Sequence, residues 1–179
     1  MAFGRPRKLF TEVELYDYAI GALGRRMRSV ADLKRLLRNR VEADTEFGKT
    51  LVELIVVRLK DQGYLNDAKY AAAFTSYRRD NEKFGKIRVV NDLRAKGVHG
   101  DVIEKAVGTG YEDVKEETLA REYLRRKRIP KPKDRNKKEA ARVYRNLTRA
   151  GFGSRTIFAI LKKWDVDEEI ISEFESEAS

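Results

Sequence analysis

Apolar residues along this chain recur at three- and four-residue spacings between glycine stops, and no segment alternates with the two-residue period of a half-buried strand. The first stretch predicts helices over Glu12–Leu23, Val30–Arg40 and Thr50–Gln62. Ser29 precedes "VADLKRLL" with Asp32 three residues on, an acidic variant of the capping box. The helix from Thr50 carries Leu51, Val52, Leu54, Ile55, Val57 and Leu59, so it is expected to be apolar around most of its circumference and the most buried. Further helices are expected from Gly85-Lys86 and after "IPKPKDRNKK", where Pro130 and Pro132 mark a loop. The terminal "DVDEEIISEFESEAS" reads as a last helix with Ile170, Ile171 and Phe174 turned inward.

The pattern repeats. Leu93, Gly97, Val98, Ile103 and Val107 align without a gap with Leu147, Gly151, Phe152, Ile157 and Leu161. Each copy reads as a helix end, a glycine stop and a second helix, with the glycine in the left-handed conformation. A weaker copy upstream places Leu36, Val41, Ile55 and Leu59 at the matching positions, with an insertion around "EADTEFGKT" and Arg40 where the glycine stands. A preceding helix in each copy aligns Ala19, Ala73 and Ala120, followed four positions on by Leu23, Tyr77 and Leu124. The expected architecture is all-α: three tandem three-helix repeats over residues 11–65, 66–110 and 111–175, stacked in a solenoid-like array between a basic arm (1–10) and a tail (176–179). "GYLNDAKYAAAF" is the joint between the first two. Gly63 ends one helix, Asn66 caps the next, Asp67 adds negative charge to its first turn, and Leu65 and Tyr70 form a hydrophobic staple.

Composition agrees: 41% hydrophobic and 38% charged residues with only 3 prolines favour helix. The absence of cysteine excludes disulfides, thiolate zinc sites and thiol catalysis. The longest aliphatic run, Leu54–Val57, is far too short to span a bilayer, and the N-terminus lacks the apolar region of a signal peptide, so a cytoplasmic protein is expected. Charge is unevenly spread. Residues 115–163 hold 17 Lys and Arg against 5 Asp and Glu, whereas 164–179 hold 7 acidic residues and no basic ones. A basic third of this kind suits a polyanionic partner, or else solvated helix faces.

Candidate chemistry is sparse. The single histidine, His99, falls in the turn "GVHGD", and Asp101 and Glu104 sit where a helix N-terminus favours anions, which accounts for both. No metal-ligand spacing or Gly-rich phosphate loop appears, so no catalytic residue, cofactor or metal is expected. The basic "GRPRK" at Gly4–Lys8 resembles a minor-groove arm only faintly. Arg25-Arg26, Arg78-Arg79 and Arg125-Arg126 each close the first helix of a repeat, with Arg25, Arg79 and Arg126 six residues after the aligned alanines. Each pair suits a helix C-terminus electrostatically; three together would set a row of cations along one side of the molecule.

"GYLNDAKYAAAF", "KFGKIRVVNDLRAKGV" and "LTRAGF" resemble the RecX family of bacterial recombination regulators. Gly63–Asp67, Arg78, Gly85, Ile87 and Leu93–Val98 fill that family's positions, with Asn66 where Asp is common and Lys86 where Pro is frequent; the likeness extends from Leu15 to Trp164. It implies a curved, elongated molecule of three three-helix repeats. It also implies a non-enzymatic monomer that binds the RecA recombinase on DNA and modulates, usually inhibits, its ATPase and strand exchange. The alternative is a DNA-binding helical array acting without a recombinase. On either reading the contact positions are Arg25, Arg26, Arg78, Arg79, Lys86, Arg88, Arg94, Lys96, Arg125, Arg126, Arg142, Arg145 and Arg149.

Overall fold

The computed structural model describes residues 9–133 and 136–177. The "GRPRK" arm and the end of the tail lie outside them. Among the described residues all regular structure is helical, in ten helices. They are α1 (Glu12–Arg25), α2 (Val30–Arg38), α3 (Glu46–Asp61), α4 (Asp67–Asp80), α5 (Lys86–Ala95), α6 (Gly100–Gly110), α7 (Glu116–Arg126), α8 (Lys137–Arg149), α9 (Ser154–Lys163) and α10 (Glu168–Glu177). By contact density the chain divides into two compact units. One runs to Ala71 and includes Arg94–Val102; the other comprises Ala72–Leu93 and everything from Ile103 on.

In the first unit, Leu15, Ala19, Leu33, Leu37, Val52, Ile55, Val56 and Leu59 form a core in which none is more than marginally exposed. α3 starts four residues earlier than its sequence suggests. Thr45 caps it through Gly48 N–H at 3.0 Å, and Gly48 is buried so closely that a Cβ there would meet Glu42 O at 2.1 Å. Gly48 is therefore a packing glycine inside the helix and not part of a loop. α3 is also amphipathic and not apolar all round, since Leu54 and Val57 are about half exposed (48% and 52%). At α2, Asp32 N–H donates to Ser29 Oγ at 3.0 Å, but the Asp32 carboxylate turns to Arg35 and Lys96 instead of closing the box. The complete capping box is at α1, between Thr11 and Glu14.

The Gly63–Tyr70 joint is built as its residues predict. Gly63 has φ +75°, and the N–H groups of Gly63 and Tyr64 return to Lys60 O and Leu59 O at 2.9 and 3.0 Å. Lys69 N–H donates to Asn66 Oδ1 at 2.9 Å, and Leu65 and Tyr70 are both buried. Asp67 does more than meet a helix dipole: its Oδ1 accepts the Val30 N–H at 2.8 Å and so satisfies a free donor at the start of α2.

In the second unit, Leu119, Ala120, Leu124, Val143, Leu147, Ile157, Ile160 and Leu161 pack with Ile170, Ile171 and Phe174 of α10, and Tyr144 stacks between Phe158 and Phe174. The alignment of Ala73 with Ala120 fails here. Ala73 and Tyr77 are exposed, and it is Ala71 that is buried. Ala71 and Ala120 each stand fifth in their helix, so α4 and α7 match two residues out of the expected register. Two residues turn a helix by ~200°. Arg78-Arg79 and Arg125-Arg126 therefore do not stand at equivalent positions of matching helices.

Gly151 (φ +86°) meets the start of α5 so tightly that an added Cβ would lie 2.1 Å from Arg88 N. Gly151→Ala is expected to cost at least ~2 kcal/mol, from left-handed strain and overpacking together. Asn66→Ala should cost ~0.5–2 kcal/mol. Gly24→Ala, at a helical site with no atom within 4 Å, should stabilise by up to ~1 kcal/mol. Urea unfolding of the three variants checks the ranking; a neutral Gly151→Ala would refute the close approach.

Candidate partner-binding surface

The thirteen basic positions separate into cations held by the protein and cations left to solvent. Arg78 is held. Its guanidinium lies over the rings of Phe74 (4.8 Å) and Phe84 (5.4 Å), and Nη2 faces Asp92 Oδ2 at 3.5 Å, an ion-pair distance too long for a good hydrogen bond. Asp92 also takes Arg88 Nε at 3.1 Å, while Arg88 stacks over Phe84 at 5.6 Å and reaches Arg149 O at 3.4 Å. Arg79 is held by Asp80 and donates to Gly110 O; the hydrogen bond and charge of Arg79 lower the Asp80 pKa. Arg126 pairs with Glu82 at 2.9 Å and Lys96 with Asp32 at 3.6 Å. Arg25, Arg26, Lys86, Arg94 and Arg125 are exposed and make no ion pair among the described residues.

Among the described residues, α8 carries a group of four exposed cations. Arg142, Arg145 and Arg149 share one face with Lys138, which the sequence places in a basic run without marking it as a contact. These four stand at i, i+4, i+7 and i+11. At 3.6 residues per turn they occupy a sector of only ~60° over about 16 Å of helix. All are exposed, and none has a salt-bridge partner among the described residues. The opposite face holds Ala140, Val143 and Leu147, buried in the core, so the stripe cannot turn inward. The helix is fixed at both ends. Asn136 Oδ1 accepts Glu139 N–H at 3.1 Å, and Glu139 Oε2 accepts Lys133 N–H at 2.8 Å. At the C-terminus Gly85 N–H donates to Ala150 O at 2.8 Å and Ile87 N–H to Gly151 O at 3.1 Å. The neighbouring acid is spent elsewhere: Glu173 of α10 pairs with Lys137, which lies off the stripe. Glu117 is held anionic, its pKa lowered by the Lys163 hydrogen bond and also by Arg121.

Little here supports covalent chemistry. His99 and Asp101 are a highly exposed pair in which the hydrogen bond to Asp101 raises the imidazole pKa. Burial raises the Tyr111 pKa, and its hydroxyl donates to Phe84 O at 2.7 Å, a structural tie. Among the described residues no three His, Cys, Asp or Glu are grouped to hold a metal ion, and no helix is long and apolar enough to cross a membrane.

Fold and surface together define an all-α helical-repeat protein with an exposed basic stripe on α8. The family model described as "RecX, second three-helix domain" matches residues 66–107. The regulatory protein RecX of Myxococcus xanthus is 33% identical over 172 residues, covering 89% of this chain and 87% of its own length. That of Deinococcus radiodurans is 34% identical over 163 residues, covering 89% and 74%. A crystal structure of regulatory protein RecX superposes with a TM-score of 0.63 at 25% identity, covering 85% of this chain and 71% of that one. RecX from Lactobacillus salivarius shares the fold at the same TM-score and 21% identity. The chain belongs to the RecX family.

The two classes of cation should respond differently to mutation. Arg78→Ala is expected to destabilise by ~1–3 kcal/mol, through lost ring contacts and an Asp92 left under-compensated. Arg142→Glu, Arg145→Glu and Arg149→Glu should each stay within ~0.5 kcal/mol of the parent. Thermal unfolding of the four variants decides this. Equal losses at Arg78 and Arg145 would show that the stripe is structural.

Proposed function

We propose that this protein is a non-catalytic regulator that binds the RecA recombinase on DNA and slows its ATP hydrolysis and strand exchange. The observation that carries the reading is the exposed four-cation stripe on α8, which has no ion-pair partner among the described residues, in a chain whose relatives are named regulatory proteins. A stripe of three guanidinium groups and one ammonium with no carboxylate along it attracts a polyanion, and its arginines offer the planar fork that suits phosphate. On this reading the functional units are the helix triplets over 11–65, 66–110 and 111–175. The protein acts as a cytoplasmic monomer, where recombinase and DNA meet, and needs no cofactor.

A second reading, DNA binding without a recombinase, is favoured by one feature. The stripe carries no apolar anchor, and protein interfaces usually draw their affinity from buried aromatic and aliphatic side chains. The two readings differ in where affinity is greatest.

The protein, added well below the recombinase concentration, is expected to lower ATP turnover by RecA filaments on single-stranded DNA. Unchanged ATPase and strand exchange at equimolar protein would dismiss the regulator reading. Combining Lys138→Glu, Arg142→Glu, Arg145→Glu and Arg149→Glu should reduce the salt dependence of any direct duplex binding by ~0.9 log unit per lost contact. Tight binding to bare DNA with no preference for the filament would favour the second reading.

A further inference from the structure

The joint that introduces α4 leaves one aromatic residue with no structural task. Leu65, Asn66, Asp67 and Tyr70 are accounted for by the staple, the cap and the bond to Val30. Tyr64 contributes only its backbone N–H, which returns to Leu59 O. Its side chain is 61% exposed, and its hydroxyl makes no hydrogen bond among the described residues. Beside it, in the loop after α1, Met27 is 55% exposed. Exposed hydrophobic residues standing singly are ordinary. These two share one open depression of about 140 Å³, also lined by Leu23, Arg28, Gly63, Asn66 and Lys69.

Leu23, Met27 and Tyr64 give the depression apolar lining, and Arg28 and Lys69 give it positive charge. Leu23 is half-buried against the core of the first unit and forms part of its apolar lining. Arg28 is anchored through Nε to Ala22 O at 3.4 Å, so a guanidinium is held at the edge. Lys69 has its backbone fixed by the Asn66 cap, while its ammonium has no ion-pair partner among the described residues. No acidic residue lines the space. Its size is of the order that accepts one ring or branched aliphatic side chain, ~150 Å³. Tyr, Met and Arg are the side chains that concentrate at the centres of protein interfaces, whereas an unstructured nucleic acid strand needs an open ring face on which to stack.

We infer that this depression is a docking socket for an acidic protein segment that inserts one apolar side chain between Tyr64 and Met27 while its carboxylates face Arg28 and Lys69. The inference rests on the regulator reading, in which that segment belongs to the recombinase. It is distinct from the α8 stripe, which has charge but no apolar anchor. The same short sequence then serves both purposes: Gly63 and Asn66 shape the joint, and Tyr64 is presented by it.

The test measures binding of the labelled full chain to RecA filaments on single-stranded DNA, and separately to the same DNA alone. Tyr64→Ala combined with Met27→Ala is expected to weaken filament binding at least tenfold and leave DNA binding unchanged. Met27→Glu, which retains the ring and adds a repelling carboxylate, should do the same should the double variant lose stability. Lys69→Glu should weaken filament binding and reduce its salt dependence. Parent-like filament binding by both Tyr64→Ala/Met27→Ala and Met27→Glu would overturn the socket while the regulator reading stands. Parallel loss of bare DNA binding would reassign Tyr64 to base stacking and also overturn it. Failure of the parent chain to bind filaments would remove the regulator reading and the socket with it.

Discussion

Carbonyl oxygens at the end of a buried helix have no partner within that helix, and in this protein the start of an earlier helix supplies one. Ser29 Oγ at the head of α2 donates to Lys96 O, just before Gly97, at 2.6 Å. Gly85 N–H at the head of α5 donates to Ala150 O, just before Gly151, at 2.8 Å. Ser29 and Gly85 are equivalent, each the residue before its helix, as are Lys96 and Ala150, each the residue before a left-handed glycine. The same bond is thus made once by a hydroxyl and once by an amide. Where Arg40 replaces the glycine, Phe10 N–H donates to Arg40 O at 2.8 Å, so the segment before α1 takes the part that α5 plays elsewhere. The approach is close enough to exclude a Cβ: one on Gly97 would meet Ala31 Cβ at 2.5 Å, and one on Gly85 would meet Gly151 O at 2.3 Å.

That constraint explains which parts of the fold could be read from the chain. Gly63, Gly97 and Gly151 mark helix ends because a left-handed residue must stand there, and all three have positive φ. Asn66 and the staple pair were equally legible, being local. Two other stops use Arg128 (φ +53°) and Asp165 (φ +55°), with the same return bonds from Ile129 to Leu124 O and from Val166 to Leu161 O. No residue type announces those. The register of α4 was illegible for a related reason. "AAA" at Ala71–Ala73 has no size difference to show which alanine faces inward, and only packing singles out Ala71. Gly48 misled in the opposite sense, since close backbone contact and a loop both call for glycine.

The candidate surface was legible in sign and less so in detail. Charge density picked out the third of the chain that carries α8, and Arg142, Arg145 and Arg149 share the face their spacing dictates. Sequence could not separate them from Arg78 and Arg88, because what divides the two groups is contact with Phe74, Phe84 and Asp92 across elements. A cation packed on two rings beside a half-buried carboxylate gains from desolvated contacts and is committed. One on an exposed face loses little by exchanging water for a phosphate or a carboxylate. Availability to a partner is therefore a tertiary property, even where charge itself is a sequence property.

The joint between α3 and α4 carries the same division to its smallest scale. Within Gly63–Asp67, four residues are fixed by the demands of ending one helix, starting the next and satisfying Val30 of a third. Asp67 is bound by that last demand most tightly, since replacing its carboxylate would leave a donor at the head of α2 without its acceptor. Tyr64 is the residue between these obligations. Its neighbours determine where its backbone goes, and nothing within the first unit buries its ring. A residue whose backbone is already fixed and whose ring is left uncovered has less backbone freedom to lose when a partner arrives.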